Sequence, residues 1–269
     1  MHTNVKRKPT VEQVKKPALT GSWHGGDAWK LAGKRAVSVL AITLMYLLVG
    51  ALLNFDSLFW RVLSCVAVVG LATYYQLYQG MARGQSDAAF AEIMYARQAE
   101  GKEVSRGDRA RCFHPFKGFF ATLVGAAPFV LYALAFAFLA KPVTYALGTL
   151  PSWTESLLMQ SEFGNALRYY SLNTGLSALD VMRVADRALV MPFINVAVYF
   201  GDGATLLAER LSPLLVLIAP LGYGLGYRQG LKLRMKINTG IKMGDDKKKR
   251  RERKARRRRQ RSSSPERLI

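Results

Sequence analysis

The sequence predicts an all-α, polytopic membrane protein with about four transmembrane helices, an outer amphipathic helix and a disordered basic C-terminal tail. Three observations carry this prediction. Half of the 269 residues are hydrophobic, and they collect in runs of about twenty, the length that crosses a ~30 Å hydrocarbon core at ~1.5 Å per residue. The 39 Lys and Arg residues, set against 18 Asp and Glu for a net charge of +21, fall between those runs or at their edges. Finally, the segments rich in Lys and Arg alternate with segments that are poor in them, which is the pattern that orients a multi-span protein.

The first span, residues 36–55, contains no charge and follows a basic leader, 1–35, that ends in Lys34 and Arg35. It closes on "LLNF" rather than on small residues, so an uncleaved anchor is expected and not a signal peptide. Asn54, Asp56 and Ser57 supply turn and cap chemistry, and a second span over 58–79 makes a tight hairpin with the first. Trp60 and Arg61 at one end of it and Tyr74, Tyr75 and Tyr78 at the other match interfacial anchors, the arginine snorkelling. A third span, 118–140, is fenced by Lys117 and Lys141, and Pro128 should bend it. A fourth, 211–228, carries Pro213 in its first turn and Pro220 in its middle. The membrane domain therefore covers 36–230, and 231–269 is the tail.

Between the third and fourth spans, 188–200 offers only thirteen uninterrupted apolar residues, too few for a crossing. Ser177 and Asp180 stand at capping-box spacing. Val181, Met182, Ala185 and Leu189 recur at helical intervals, with Asp180, Arg183 and Arg187 on another face, so 178–200 reads as an amphipathic helix lying on the membrane or capping the bundle. After the second span, the alanine and glutamate content of "DAAFAEIMYARQAEGK", preceded by Ser86, favours a separate short helix ending at Gly101. "SRGDRARCFHPFKG" then interleaves basic and aromatic residues in a way that suits the headgroup layer.

Lys and Arg number eight in residues 1–35, seven in 80–117, five in 141–210 and eighteen from 228 onward, with none in the turn between the first two spans. Four spans put every strongly basic segment on one side of the membrane; five would strand one on the other. The expected localisation is the cytoplasmic (plasma) membrane, multi-pass, with both termini cytoplasmic and 141–210 outside. Its acids Glu155, Glu162, Asp180, Asp186, Asp202 and Glu209 are mixed with arginines and read as solvated surface charge.

Gly222, Gly226 and Gly230 are four residues apart in "GYGLGYRQG" and share one helix face, the arrangement that lets membrane helices approach closely. Ala121 and Gly125 form a weaker counterpart. The glycines do not make a nucleotide loop, because no strand precedes them and the phosphate-binding spacing is missing. HExxH, GxSxG and P-loop patterns are absent from the sequence, and Cys112 and His114 in "RCFHPF" are two candidate ligands where a metal site needs three or four. The expectation is a protein that is not an enzyme and has no cofactor or metal.

The tail concentrates Lys247, Lys248, Lys249, Arg250, Arg251, Arg253, Lys254, Arg256, Arg257, Arg258, Arg259 and Arg261 into a polyanion-binding segment. Each basic residue near an anionic leaflet contributes up to ~1 kcal/mol, and the same residues could neutralise phosphates on RNA or a ribosome, dock an acidic protein, or serve only to fix topology. Asp245 and Asp246 mark an expected hinge, with self-repulsion keeping the chain beyond them disordered. Ser262, Ser263 and Ser264 stand where phosphorylation would lower the charge.

The "FHPFKG" entry into a proline-bearing span and the final span ending "GYGLGY" before a basic tail resemble segments of uncharacterised small polytopic bacterial membrane proteins. That resemblance implies no activity. The functional expectation is an integral membrane adaptor or accessory protein acting by interaction, as a homo-oligomer or beside a partner membrane subunit. Its tail would engage anionic lipid headgroups or RNA. The alternative is a small transporter or export component for a neutral substrate.

Overall fold

The computed structural model describes residues 14–53, 55–142, 155–160, 164 and 177–262. Among them every regular element is helical. The helices are α1 (Gly26–Leu52), α2 (Leu58–Ala99), α3 (Arg106–Arg111), α4 (Lys117–Leu139), α5 (Glu155–Leu158), α6 (Ala178–Leu189), α7 (Met191–Ala197) and α8 (Asp202–Ser262), with a 3₁₀ turn at Val198–Phe200 before α8. Four of them, α1, α2, α4 and α8, are long and apolar enough to cross a membrane. Their apolar side chains face outward, among them Leu44, Leu48, Val66, Leu131 and Phe138. In the most apolar stretch of α2 only 11% of the residues are buried inside the protein. Such bare apolar faces would be costly in water and are satisfied by lipid.

Several expected boundaries are corrected. Helix α1 begins at Gly26, ten residues before the expected span, and α2 runs without a break through both the second span and the short helix expected after it. Hydropathy marks the part of a helix that lipid surrounds, whereas the backbone continues as long as the residues favour it; Lys, Arg, Gln, Glu and Ala do. The tail is corrected for the same reason. Helix α8 continues through Asp245 and Asp246 to Ser262 with no hinge, because no glycine or proline follows Gly244 within it and the segment is dominated by Lys and Arg. The single helix expected over 178–200 is divided at Val190, where the backbone leaves helical geometry just before Pro192 at the start of α7. The expected end of α2 at Gly101 has a clear mechanism: Gly101 takes φ +80, its N–H donates to Gln98 O, and Lys102 N–H donates to Arg97 O, a Schellman closure. Residues 1–13 of the leader, Asn54, Glu162, Ser263 and Ser264 lie outside the described residues.

The chain divides into two compact units. One gathers the described residues of Met1–Lys30, Leu77–Phe120 and Tyr223–Ile269. Its framework is the close approach of α2 and α8. A Cβ on Gly80 would overlap the Tyr223 carbonyl, one on Gly84 the Tyr227 carbonyl, one on Gly226 the Leu77 carbonyl, and one on Gly230 the backbone of Gly84 and Gln85. Only glycine lets two helices interlock this tightly. Ring faces fill the flanks: Tyr227 lies against Gly118 of α4 and Phe119 against Gly224, while Phe113 stacks on Tyr227 with centroids 5.3 Å apart.

The other unit holds the described residues of Leu31–Gln76 and Ala121–Gly222. Its apolar core has two clusters, one around Leu189, Val190, Ile194 and Val216, and one around Tyr46, Ala72 and Ala219. Gly125 of α4 approaches the Ala32 carbonyl of α1, where a Cβ would sit 2.6 Å from the oxygen. Ala121 is fully buried, and Gly222 approaches the Thr73 carbonyl, with 2.7 Å left for a Cβ. Asn195 of α7 donates to Gly50 O at 2.7 Å, and Arg61 donates to Asn195 O at 3.0 Å and to Phe55 O. The arginine expected to snorkel is thus a tie between α2, the turn that precedes it and α7.

Two substitutions separate packing from propensity. Gly226→Leu should lower the unfolding midpoint of the detergent-solubilised protein by an amount equivalent to about 1–3 kcal/mol or more, because it overpacks a backbone contact. Gly240→Ala, at a position with open space around it, should raise it by up to about 1 kcal/mol through helix propensity. Thermal melts followed by circular dichroism check both.

Candidate functional site

Polar chemistry in the first unit converges on Lys117 at the start of α4. Its side chain is fully buried, which no ammonium tolerates without compensation. Its Nζ pairs with Asp27 Oδ2 of α1 at 2.6 Å and Asp87 Oδ2 of α2 at 3.0 Å, and donates to the carbonyls of Ala110 at 3.0 Å and Arg111 at 3.3 Å. Arg83, one turn before Asp87, pairs with Asp27 at 3.2 Å and with Asp87 Oδ1 at 3.0 Å. The Tyr227 hydroxyl of α8 donates to Asp87 Oδ2 at 2.7 Å. Two cations and two carboxylates therefore close a neutral centre to which five helices, α1, α2, α3, α4 and α8, each contribute at least one group. Farther along α2, Glu92 accepts from Arg234 at 2.7 and 3.0 Å and from Asn238 at 2.7 Å. Val14 N–H donates to Thr239 Oγ1 at 2.9 Å. Residues 14–25 are held to this unit by their backbone as well, with Leu19 N–H on Ala91 O and Gly21 N–H on Phe113 O.

Beyond Thr239 the character of α8 changes. Every residue from Gly240 to Arg257 is exposed, so the basic run Lys247, Lys248, Lys249, Arg250, Arg251, Arg253, Lys254, Arg256 and Arg257 lies on a helix that no other described part of the chain covers. The backbone of Arg258, Arg259 and Arg261 continues the same helix; their side chains lie outside the described residues. The arrangement is a rod with cations on all sides, suited to an extended polyanion rather than to a small ligand.

In the second unit two of the carboxylates expected to be solvated, Asp186 and Glu209, are buried, whereas Asp202 is exposed. Asp186 is 0% and Glu209 1% exposed. Glu209 is held by Arg187 at 2.7 Å and faces Arg183 Nε at 3.4 Å, and Arg183 also donates to Lys141 O. Ser212 Oγ donates to Asp186 Oδ1 at 2.8 Å, whereas Asp186 Oδ2 is buried without a hydrogen-bond partner. The charged face of α6 is turned inward. Sequence alone treats Asp180, Arg183, Asp186 and Arg187 as a surface stripe; the signal it lacks is the position of Glu209 and Ser212, more than twenty residues away. Ser177 does cap α6 in a full capping box with Asp180, and Asp180 stays half exposed.

Burial, with the nearby Glu209 charge adding to it, pushes the Asp186 carboxyl up to about 7 against the opposing effects of Ser212 and Arg187. The folded state therefore binds this proton more tightly than the unfolded chain, whose carboxyl titrates near 3.8. The contribution is favourable below that pH and is lost as pH rises towards 7.

No protein-family model, no curated protein and no solved structure matches the chain. What the fold defines, among the described residues, is an all-helical chain with four helices long and apolar enough to span a bilayer.

Replacing Asp186 by Asn keeps an acceptor for Ser212 and removes the buried charge. The variant should be more stable than the parent at pH 8, with an upper bound on the order of 4 kcal/mol, and should lose the decline in stability between pH 4 and 7. Melting midpoints of both proteins across that range test the sign.

Proposed function

We propose that this chain is an integral membrane adaptor or accessory protein, multi-pass in the cytoplasmic membrane with both termini cytoplasmic, that acts by holding a polyanion through its basic C-terminal helix. The observation that carries the reading is the continuity of α8: one helix contains a membrane-length apolar stretch and the basic run. Lys247 follows Arg228 by nineteen residues, so the dense basic run begins ~29 Å farther along the helix axis. A helix leaving the membrane near its normal carries those cations several Debye lengths, at ~8 Å each, from the leaflet that anchors it. That geometry favours a phosphate polymer in the cytoplasm, RNA in isolation or within a ribosome, over the headgroups of its own membrane. The placement of Lys and Arg supports the sidedness, since the segments at 14–35, 80–117 and 228–262 all lie in the basic class that stays inside.

The test compares the full-length protein with a truncation after Met243, beyond the last side chain that α8 commits to Glu92 and Val14. RNA should copurify with the full-length form at low salt, be absent from the truncation, and fall by roughly three to five orders of magnitude in affinity between 50 and 200 mM salt if six to ten phosphates are engaged. RNA retained equally by both forms, or a tail dependence confined to anionic lipid, would overturn the assignment.

A further inference from the structure

A second cationic feature, independent of the tail, lies in the first unit where the start of α1 meets α3. A cleft of about 560 Å³ opens there, lined by Ser22, Asp27, Lys30, Arg106, Ala110 and Arg111, and a Cβ on Gly26, which also lines it, would meet only open space. The volume falls within the ~300–1,000 Å³ of small-molecule sites. The charge in it does not balance. Asp27, its one acid, already accepts from Lys117 and Arg83, and those two cations are matched by Asp27 and Asp87 together. Asp108, the nearest acid in sequence, takes the Ser105 hydroxyl at 2.8 Å. Lys30 and Arg106 have no ion-pair partner among the described residues, and Arg111 rests over the Phe90 ring at 5.0 Å. Three positive charges around a cleft are left for something outside the chain.

The surroundings say what kind of anion this is. Trp23, Trp29 and Phe116 are exposed, and Trp23 and Trp29 each meet Phe120 edge to face, at 5.3 and 5.5 Å. Amphipathic aromatic rings beside cations are the signature of the headgroup layer. Lys30 precedes the uncharged run that begins at Ala36 by six residues, ~9 Å of helix rise, which sets it at the outer edge of the polar zone, ~5–8 Å deep on one side of the hydrocarbon. From the cleft, its uncompensated cations and its aromatic rim, we infer that Lys30, Arg106 and Arg111 bind the phosphate of an anionic phospholipid, its headgroup seated against the start of α1 and α3. The site rests on the membrane reading of the fold and not on the role proposed for the tail.

The experiment uses the full-length protein in mixed micelles and counts retained lipids by native mass spectrometry. The wild type should keep one phosphatidylglycerol that phosphatidylcholine does not replace. Lys30→Gln/Arg106→Gln should retain it roughly thirtyfold less, the scale expected from removing two headgroup contacts, and the charge-conserving Lys30→Arg/Arg106→Lys should restore it. The tail control Lys248→Gln/Arg250→Gln removes the same charge elsewhere and should leave that lipid in place. Equal retention by wild type and the Gln pair, exchange by phosphatidylcholine, or loss in the tail control would overturn the site. Displacement by millimolar inorganic phosphate would overturn the lipid as its source. None of these outcomes depends on whether the tail binds RNA.

Discussion

The buried ammonium of Lys117 is the constraint around which the first unit is built. An isolated cation in that position would lose several kcal/mol of hydration, and the chain offsets this by bringing two carboxylates, two backbone carbonyls and, through Asp87, a second cation and a tyrosine hydroxyl to it. These groups come from α1, α2, α4 and α8 and from the α3 segment, so the compensation of one charge fixes where five elements meet. The glycines of α2 and α8 make it geometrically possible. With a Cβ at Gly80, Gly84, Gly226 or Gly230 the helices would stand farther apart and Tyr227 could not reach Asp87.

The second unit uses the same logic with a different outcome. Arg183 and Arg187 gather on Glu209, and Asp186 is left with one satisfied and one unsatisfied oxygen. At the Lys117 centre each charge has an opposite partner, whereas partial compensation leaves Asp186 a group that takes up a proton near neutrality. Both clusters flank the apolar stretches rather than sitting at their centres, in keeping with the cost of ions deep in hydrocarbon.

Much of the architecture was legible in the sequence, and the reason is the uniformity of the solvent. Lipid demands apolar length, so four spans can be read from runs of residues, and Lys and Arg suggest their direction. Local chemistry was legible too: the Ser177–Asp180 box and the Gly101 terminus each depend on residues within five positions. Helix ends away from the lipid boundary were not, because α1, α2 and α8 continue through polar residues that are good helix formers. The spacing of Gly222, Gly226 and Gly230 was visible but not what each approaches. The partners of Lys117 were least legible of all. Lys117 reads as a fence at the edge of a span, and nothing local ties it to Asp27, ninety residues earlier. For the same reason Asp186 and Glu209 pass for surface charge until the fold sets them against each other's partners.

The coupling between Asp87 and Lys117 tests this account most directly. A double-mutant cycle with Asp87→Asn, Lys117→Met and the pair, scored by unfolding of the solubilised protein, isolates it. If charge compensation organises the unit, each single change is strongly destabilising and the pair costs less than the sum, with an interaction energy of about 2 kcal/mol or more, near the upper part of the range for groups in direct contact. Additivity within about 0.5 kcal/mol would contradict it, and would place the organising force in the glycine packing alone.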